Sequence, residues 1–227
     1  PTALVVELGA YSLAVTPVHD GCALLRAARS LQLGTLEIDE YLTTLLRERG
    51  YTFYSNDGDR AQVRGIRERL GYVAIDAAAE AAKALPPVPY ELPDGQEVLV
   101  GDERFQWAEA LFSPALAGPR IACPALPSAL IDASDACDAE LRAELLANVV
   151  LADGMCMPGV EARLLEELRA RLPAACRVAV HAAPDPSLYS WLGGSQLAAH
   201  WRFRSMCVTA EEYEEHGPDA LVAGRTG

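Results

Sequence analysis

Apolar side chains are concentrated in two short runs at the start of the chain, over residues 3–8 and 12–18. Valine, leucine and other strand-forming residues dominate both runs. Gly9-Ala10-Tyr11 separates them and provides a turn. The pattern therefore predicts a β-hairpin.

The segments that follow the hairpin along the chain are predicted to be helical. A helical stretch is predicted directly after His19-Asp20-Gly21, and a second helix ends at Gly50, which is typical of a C-cap. The longest helix is predicted over residues 59–83, where apolar residues recur at helical spacing and alanines continue the run. The apolar residues of the helix that ends at Gly50 are Ile38, Leu42, Leu45 and Leu46. Those of the longest helix are Val63, Ile66, Leu70 and Val73.

Proline and glycine residues divide the middle of the chain into short elements. Pro86-Pro87-Val88-Pro89 ends the long helix, and Pro93-Asp94-Gly95 lies between two short runs that predict a second hairpin over residues 90–100. A short helix is predicted over residues 103–112. Residues 113–127 are rich in proline, alanine and glycine, so we interpret them as an irregular connection and as the best domain boundary.

Beyond the connection, amphipathic helices are predicted over residues 138–151 and 158–172, around the loop Ala152-Asp153-Gly154. Residues 177–182 are strand-like. Gly193-Gly194-Ser195 is predicted to precede a helix, and the last twenty residues form a polar helix or tail. The mixture of strands and helices indicates an α/β protein.

Composition narrows the function classes. The 227 residues are 51% apolar and 22% charged, which is typical of a folded globular protein, and no apolar run approaches the ~20 residues of a membrane span. The chain has 32 acidic and 19 basic residues, a net charge of −13. Such a surface repels phosphate backbones, so nucleic-acid binding is not expected.

Cysteine usage and the first residues indicate a reduced intracellular chain. The six cysteines have no CxxC spacing, which argues against a zinc site or a dense disulfide framework. Pro1-Thr2-Ala3 carries no signal-peptide pattern, and without an initiator Met the sequence is compatible with a start inside a longer polypeptide. Lys83, the single lysine, is expected at a solvated helix end.

The sequence offers no convincing catalytic constellation. Gly193-Gly194-Ser195 is able to cradle a phosphate at a helix N-terminus, but two glycines before a serine N-cap are more often a tight turn, which is the better explanation here. Ser195 and His200 lack a Gly-x-Ser-x-Gly elbow, and the four histidines are spread along the chain. We therefore predict no catalytic residue and no metal ligand set.

Six segments, in order, resemble the actin family. They are residues 39–53 (DEYLTTLLRERGYTF), 63–75 (VRGIRERLGYVAI), 90–112 (YELPDGQEVLVGDERFQWAEALF), 147–159 (ANVVLADGMCMPG), 191–195 (WLGGS) and 211–218 (EEYEEHGP). The resemblance implies an actin-like α/β fold of the actin, Hsp70 and hexokinase ATPase type, with a mixed sheet and flanking helices. The divergence is similar to that of testis-type members.

The resemblance covers the second half of an actin, the inner lobe and the C-terminal helices. It implies a discontinuous inner-lobe subdomain over residues 1–33 and 119–190, an inserted helical and β-hairpin subdomain over 34–118, and C-terminal helices over 191–227 that in actins pack on the outer lobe. The first phosphate loop, the catalytic glutamine and the phosphate-loop lysine of actins belong to the upstream half, so a complete ATP site is not expected here.

The second phosphate loop of the family is eroded in this chain. Actins have Asp-Ser-Gly-Asp-Gly-Val-Thr-His, and residues 7–14 here are ELGAYSLA. Glu7 and Gly9 keep the family's chemistry. Ala10 replaces the cation-placing aspartate, Tyr11 replaces a glycine, and Ala14 replaces the histidine that positions the water.

The adenine side is better preserved. Arg67-Glu68 takes the place of the family's Lys-Glu pair, although a polar helix face explains both residues without a ligand. The Gly-Gly loop is now Asp153-Gly154, whose carboxylate repels phosphate, and Ser187 stands for the family lysine near the adenine. We expect a vestigial nucleotide site at Gly9, Arg67, Glu68 and Gly154 and no cofactor, with ATP and Mg²⁺ held weakly if at all.

In actins a hydrophobic cleft beside the C-terminal helices receives an amphipathic partner helix. Its lining corresponds here to Gln196, Leu197, His200, Phe203 and Met206, of which Gln196 and His200 replace apolar residues. The resemblance thus implies a cleft of altered specificity for protein partners. The alternative is that this face only packs against an outer lobe.

The resemblance implies a cytoplasmic, cytoskeleton-associated structural or interaction protein that neither hydrolyses ATP nor polymerises. Two alternatives stay open. One is a weak ATP-binding or ATPase module that an upstream lobe or a partner completes, and the other is a nuclear actin-related subunit of a chromatin complex.

Overall fold

A computed structural model describes residues 1–54, 56–155, 157–182 and 188–218. The contacts divide the chain into two units, Pro1–Ser187 and Leu188–Gly227. The finer division into residues 1–33 with 119–190, 34–118 and 191–227 stays a prediction.

The first hairpin is confirmed. Strand β1 (Ala3–Leu8) pairs antiparallel with β2 (Leu13–His19), and the Gly9 amide donates to the Ser12 carbonyl across the turn at 2.9 Å. Alternate residues of β1 are buried, which places Leu4, Val6 and Leu8 in the core.

The helix predicted directly after Gly21 is wrong. The chain instead forms β3 (Cys22–Ala23) and β4 (Arg29–Leu31), and both pair antiparallel with β2. Arg29 stabilises the turn between them, because its guanidinium donates to the carbonyls of Ala27 and Ala28. Pairing with the edge of β2 outweighs the local helix propensity of this segment.

Helix α1 (Thr35–Glu48) agrees with the prediction, but the long helix over residues 59–83 does not. It is two helices, α2 (Asp57–Leu70) and α3 (Ala77–Ala81). Gly71 is extended, and the amides of Tyr72 and Val73 donate to the carbonyls of Arg104 and Pro158 at 3.0 and 2.8 Å. These tertiary hydrogen bonds replace the helical ones, so the helix ends at Leu70.

The second hairpin is confirmed as β5 (Val88–Glu91) and β6 (Glu97–Val100), with Gly95 at φ 83° in the turn. The predicted helix over 103–112 is present as α4 (Glu103–Gln106) followed by a 3₁₀ helix (Trp107–Leu111). A second 3₁₀ helix (Pro114–Ala117) begins the connection.

The last part of the first unit differs from the prediction at two places. Helix α5 (Leu126–Asp135) begins within the stretch that we expected to be irregular. Helix α6 (Ala139–Leu146) ends early, because the residues that follow form strand β7 (Val149–Asp153). The predicted second helix and strand are confirmed as α7 (Val160–Arg171) and β8 (Val180–Ala182).

A mixed sheet organises the first unit. Its strand order is β3-β2-β1-β7-β8, with β4 also paired to β2, and β7 runs parallel to both β1 and β8. Buried side chains from β1, β2 and β7 join those of the flanking helices in one core. The predicted α/β class, a mixed sheet with flanking helices, is confirmed.

The second unit contains α8 (Tyr189–Ala199), α9 (Phe203–Met206) and α10 (Ala210–His216). Gly193, Gly194 and Ser195 lie inside α8 and do not precede it, so the turn interpretation and its phosphate alternative are wrong. The residues on both sides, such as Leu192 and Leu197, are good helix formers and carry the helix across the glycines. Among the described residues, no helix is long and apolar enough to cross a membrane.

Candidate functional site

A cavity of about 190 Å³ opens where the end of α2 meets the loop that follows β7. It brings together three of the four residues of the predicted nucleotide site, Arg67, Glu68 and Gly154. The rest of the lining is contributed by Gly71, Asp153, Met157 and Pro158. The fourth residue, Gly9, is not among the described residues that line this cavity.

Close packing of the backbone requires a glycine at position 154, independently of any ligand. The parallel register of β1 and β7 places Leu8 opposite Asp153, so the loop after β7 crosses the end of β1. A Cβ atom on Gly154 would lie 2.5 Å from the Leu8 carbonyl oxygen, where only glycine fits. The preceding Asp153 has a positive φ of 48°, a conformation that aspartate tolerates better than most residues.

Arg67 is buried, although it lies on the polar face of α2. Its Nε donates to Asp39 Oδ1 at 2.5 Å, and its guanidinium carbon lies 5.8 Å from the centre of the Trp107 ring. Glu68, in contrast, is largely exposed, and its Oε1 lies 4.0 Å from Arg67 Nη2. The guanidinium that faces the cavity is therefore already bound to a carboxylate.

The carboxylates of Glu7 and Asp153 lie near the C-terminal ends of the neighbouring strands β1 and β7. Glu7 lies on the face of β1 opposite the buried leucines and beside Ala152 of β7. Its pKa is raised, first by burial and then by the negative charge of Asp153. A further anion such as phosphate would meet the same repulsion.

The β1–β2 turn is held by the start of α1. The amides of Thr35 and Leu36 donate to the carbonyls of Gly9 and Ala10, at 2.9 and 3.1 Å. The amide of Gly9 is used within the turn, by the Ser12 carbonyl. Tyr11 at the tip is 76% exposed. The turn is thus arranged by bonds within the protein.

The family model for actin matches residues 1–226. The chain belongs to the actin family. The mixed sheet with flanking helices is the fold of actin-like ATPases, and the cavity at Arg67, Glu68 and Gly154 lies at the positions that the resemblance assigned to the nucleotide.

The predicted partner-cleft residues lie on the helices of the second unit. Gln196 and Leu197 are in α8, His200 directly follows it, and Phe203 and Met206 begin and end α9. All are exposed except Phe203, which is partly buried. That they form one cleft stays a prediction.

Sequence reasoning missed the partner of Arg67. Asp39 lies 28 residues earlier, on α1, and no local pattern connects the two positions. It also missed Met157 and Pro158, although both belong to segments that carry the family resemblance. The expectation for Ser187 lies outside the described residues. Among the described residues, no group of three or more His, Cys, Asp or Glu side chains is arranged to hold a metal ion.

Proposed function

We propose that this actin-family chain is a structural or interaction protein whose nucleotide site has degenerated. The observation that carries the proposal is the charge around the 190 Å³ cavity. Among its described lining residues Arg67 is the one cation, and Asp39 already binds it, whereas Glu68 and Asp153 contribute negative charge.

These residues do not suit ATP with Mg²⁺. A phosphate chain needs backbone amides or cations that are available to it. Ala10 and Tyr11 provide neither a cation-placing carboxylate nor a second glycine in the turn, and the Gly9 amide bonds to Ser12. The adenine side keeps Arg67, Glu68 and Gly154 around one cavity, which favours weak nucleoside binding as the second candidate.

Calorimetry tests the nucleotide part. Titration with Mg-ATP is expected to show no tight binding. Asp153→Asn removes the charge and tolerates the positive φ, so it should strengthen any residual ATP binding while leaving adenosine binding unchanged. A dissociation constant in the low micromolar range for the unchanged chain, together with phosphate release, would overturn the proposal and promote a working ATPase module.

The interaction role rests on the second unit. Leu197 and Met206 are exposed apolar side chains in a unit whose described residues include none that is buried. We propose that this surface docks a protein partner, and that Gln196 and His200 select a dedicated partner over general actin binders, because each polar group buried without a partner costs about 1 to 3 kcal/mol.

A pull-down from cell extract tests the docking surface. Capture of the lead partner should weaken with Phe203→Ala and change with His200→Leu. Leu99→Ala is the matched control, since Leu99 is also exposed and apolar but lies on β6. A lead partner whose capture is indifferent to both changes would place docking elsewhere, and co-purifying chromatin subunits would favour the nuclear alternative.

We further propose a cytoplasmic, cytoskeletal location, a chain that does not polymerise by itself, and a place among testis-type members such as actin-like protein 10. The resemblance to one half of an actin supports the second point, because actin-type filaments use contacts from both lobes and an inner lobe offers only part of that surface. Sedimentation at raised salt and protein concentration should leave the chain in the supernatant. Long regular filaments by electron microscopy would contradict it.

A further inference from the structure

A second cavity, of about 240 Å³, lies between α1, α2 and the tip of the β1–β2 turn. We call it the α1–α2 cleft. It is separate from the 190 Å³ cavity described above and shares none of the described lining residues with it. Its distinguishing side chains are Arg47, Arg60 and Arg64, with the tyrosines Tyr11 and Tyr54.

The arginines of α2 have donors to offer. Arg60 and Arg64 lie one turn apart, and their side chains are 58% and 49% exposed. Arg60 Nη1 is 3.8 Å from Asp57, and Arg64 Nε is 3.7 Å from Asp39. Both separations exceed a direct hydrogen bond, so either guanidinium gains by meeting a closer acceptor.

The acidic residues of the cleft are mostly engaged. Glu37 Oε2 accepts from the Gly34 amide at 2.7 Å, as part of the N-terminal cap of α1. Asp39 is buried and paired with Arg67, which lies outside the cleft. Glu40 is the third carboxylate of the lining, so the cleft has as many carboxylates as arginines. Arg47 is engaged as well, because its guanidinium donates to the Phe53 carbonyl. Arg60 and Arg64 are therefore the arginines of the cleft whose donors a ligand carboxylate is able to meet.

The tyrosines add contact surface beside these charges. Tyr11 is 76% and Tyr54 69% exposed, so both present ring area that a ligand is able to cover. The small volume suits one or two carboxylates of a short chain. A long polyanion would extend from the cleft onto the acidic surface and be repelled.

We propose that the α1–α2 cleft binds a short acidic segment of a protein partner. Neighbouring glutamate or aspartate side chains of that segment pair with Arg60 and Arg64, and its backbone lies against Tyr11 and Tyr54. This interaction is independent of the docking surface proposed on α8 and α9.

Fluorescence anisotropy with a labelled hexaglutamate peptide tests the proposal on the full chain, with a labelled hexaserine peptide for comparison. Hexaglutamate should bind at low salt and hexaserine should not. Arg60→Gln with Arg64→Gln should weaken binding by about tenfold or more, because two charge-assisted hydrogen-bonding groups are lost. Tyr11→Ala should weaken it less.

Arg69→Gln with Arg169→Gln is the matched control. It removes the same charge from exposed positions outside the cleft, so peptide affinity should change little. All variants should keep the unfolding midpoint of the unchanged chain, since the substituted side chains are exposed. Equal weakening by both double variants, or no binding of hexaglutamate, would overturn the proposal. Tighter binding of a single-stranded oligonucleotide of equal charge would also overturn it.

Discussion

A Cβ atom on Gly34 would lie 2.2 Å from the carbonyl oxygen of Ala10. The two residues come this close because the amides at the start of α1 donate to the carbonyls of Gly9 and Ala10. The hairpin turn and the first turn of α1 therefore fix each other. The turn that stands for the family's second phosphate loop is held in place by a helix.

Gly34→Ala should destabilise the protein by about 1 to 3 kcal/mol, because the backbone has to move to accommodate the methyl group. Urea unfolding measures the change. Gly193→Ala is the control: a Cβ there meets nothing within 4 Å. Since Gly193 lies inside α8, alanine should raise helix content or leave it unchanged. A neutral Gly34→Ala would contradict the close contact.

Removal of Arg67 alone should destabilise the protein more than removal of both Arg67 and Asp39. Both side chains are buried, so Arg67→Met leaves Asp39 without its closest cation and should cost about 3 to 5 kcal/mol. The double variant Arg67→Met with Asp39→Leu should be less damaging than the single one, because no buried charge is left. Urea unfolding of the single variants Arg67→Met and Asp39→Leu and of the double variant completes the cycle.

Arg60→Met is the surface control for that cycle. Arg60 and Asp57 form an exposed pair on the same helix, and such pairs contribute about 0 to 1 kcal/mol. A loss for Arg60→Met as large as that for Arg67→Met would show that the helix, and not the buried pair, determines the effect.

Arg163 should not tolerate lysine. Its guanidinium donates to both carboxylate oxygens of Glu109, at 3.0 and 3.2 Å, to the Ala74 carbonyl at 2.8 Å, and stacks over Phe112. An ammonium group cannot reproduce this fork. Arg163→Lys should lower the unfolding free energy by about 1 to 3 kcal/mol. Arg169→Lys, exposed on the same helix, should be neutral, and equal effects would contradict the role of the fork.

The titration of Glu7 should lower the stability of the folded protein as pH rises. Burial, then Asp153, raises its pKa above the ordinary value of 4.5 in the folded state. The folded chain therefore holds the proton more tightly than the unfolded chain, and stability from this group falls as pH rises from about 4.5 through the raised pKa.

Glu7→Gln removes that decline. Relative to the unchanged chain, the variant should gain stability as pH rises through this window, measured by thermal unfolding at a series of pH values. Glu97→Gln, an exposed change on β6, is the control and should follow the unchanged chain. A Glu7→Gln difference that is constant with pH would rule out the titration of Glu7 as its cause.

Local signals alone determined several elements. The β1–β2 and β5–β6 hairpins follow from short apolar runs around glycine turns, and α1 follows from its apolar face and the glycine after it. Each of these elements closes its hydrogen bonds within a short stretch of sequence, at most from Ala3 to Val18 in the first hairpin. The sequence also determined the family, because its motifs recur in order.

Tertiary contacts decided the rest. Residues 149–153 form a strand because β1, about 145 residues earlier, offers them a parallel partner. The helix ends at Leu70 because the next amides bond to Arg104 and Pro158. Likewise, Arg67 is bound and buried only because α1 brings Asp39 beside α2. Sequence spacing predicts neighbours within one element, whereas these partners meet only when separate elements pack, so the charge balance of the site emerges with the fold.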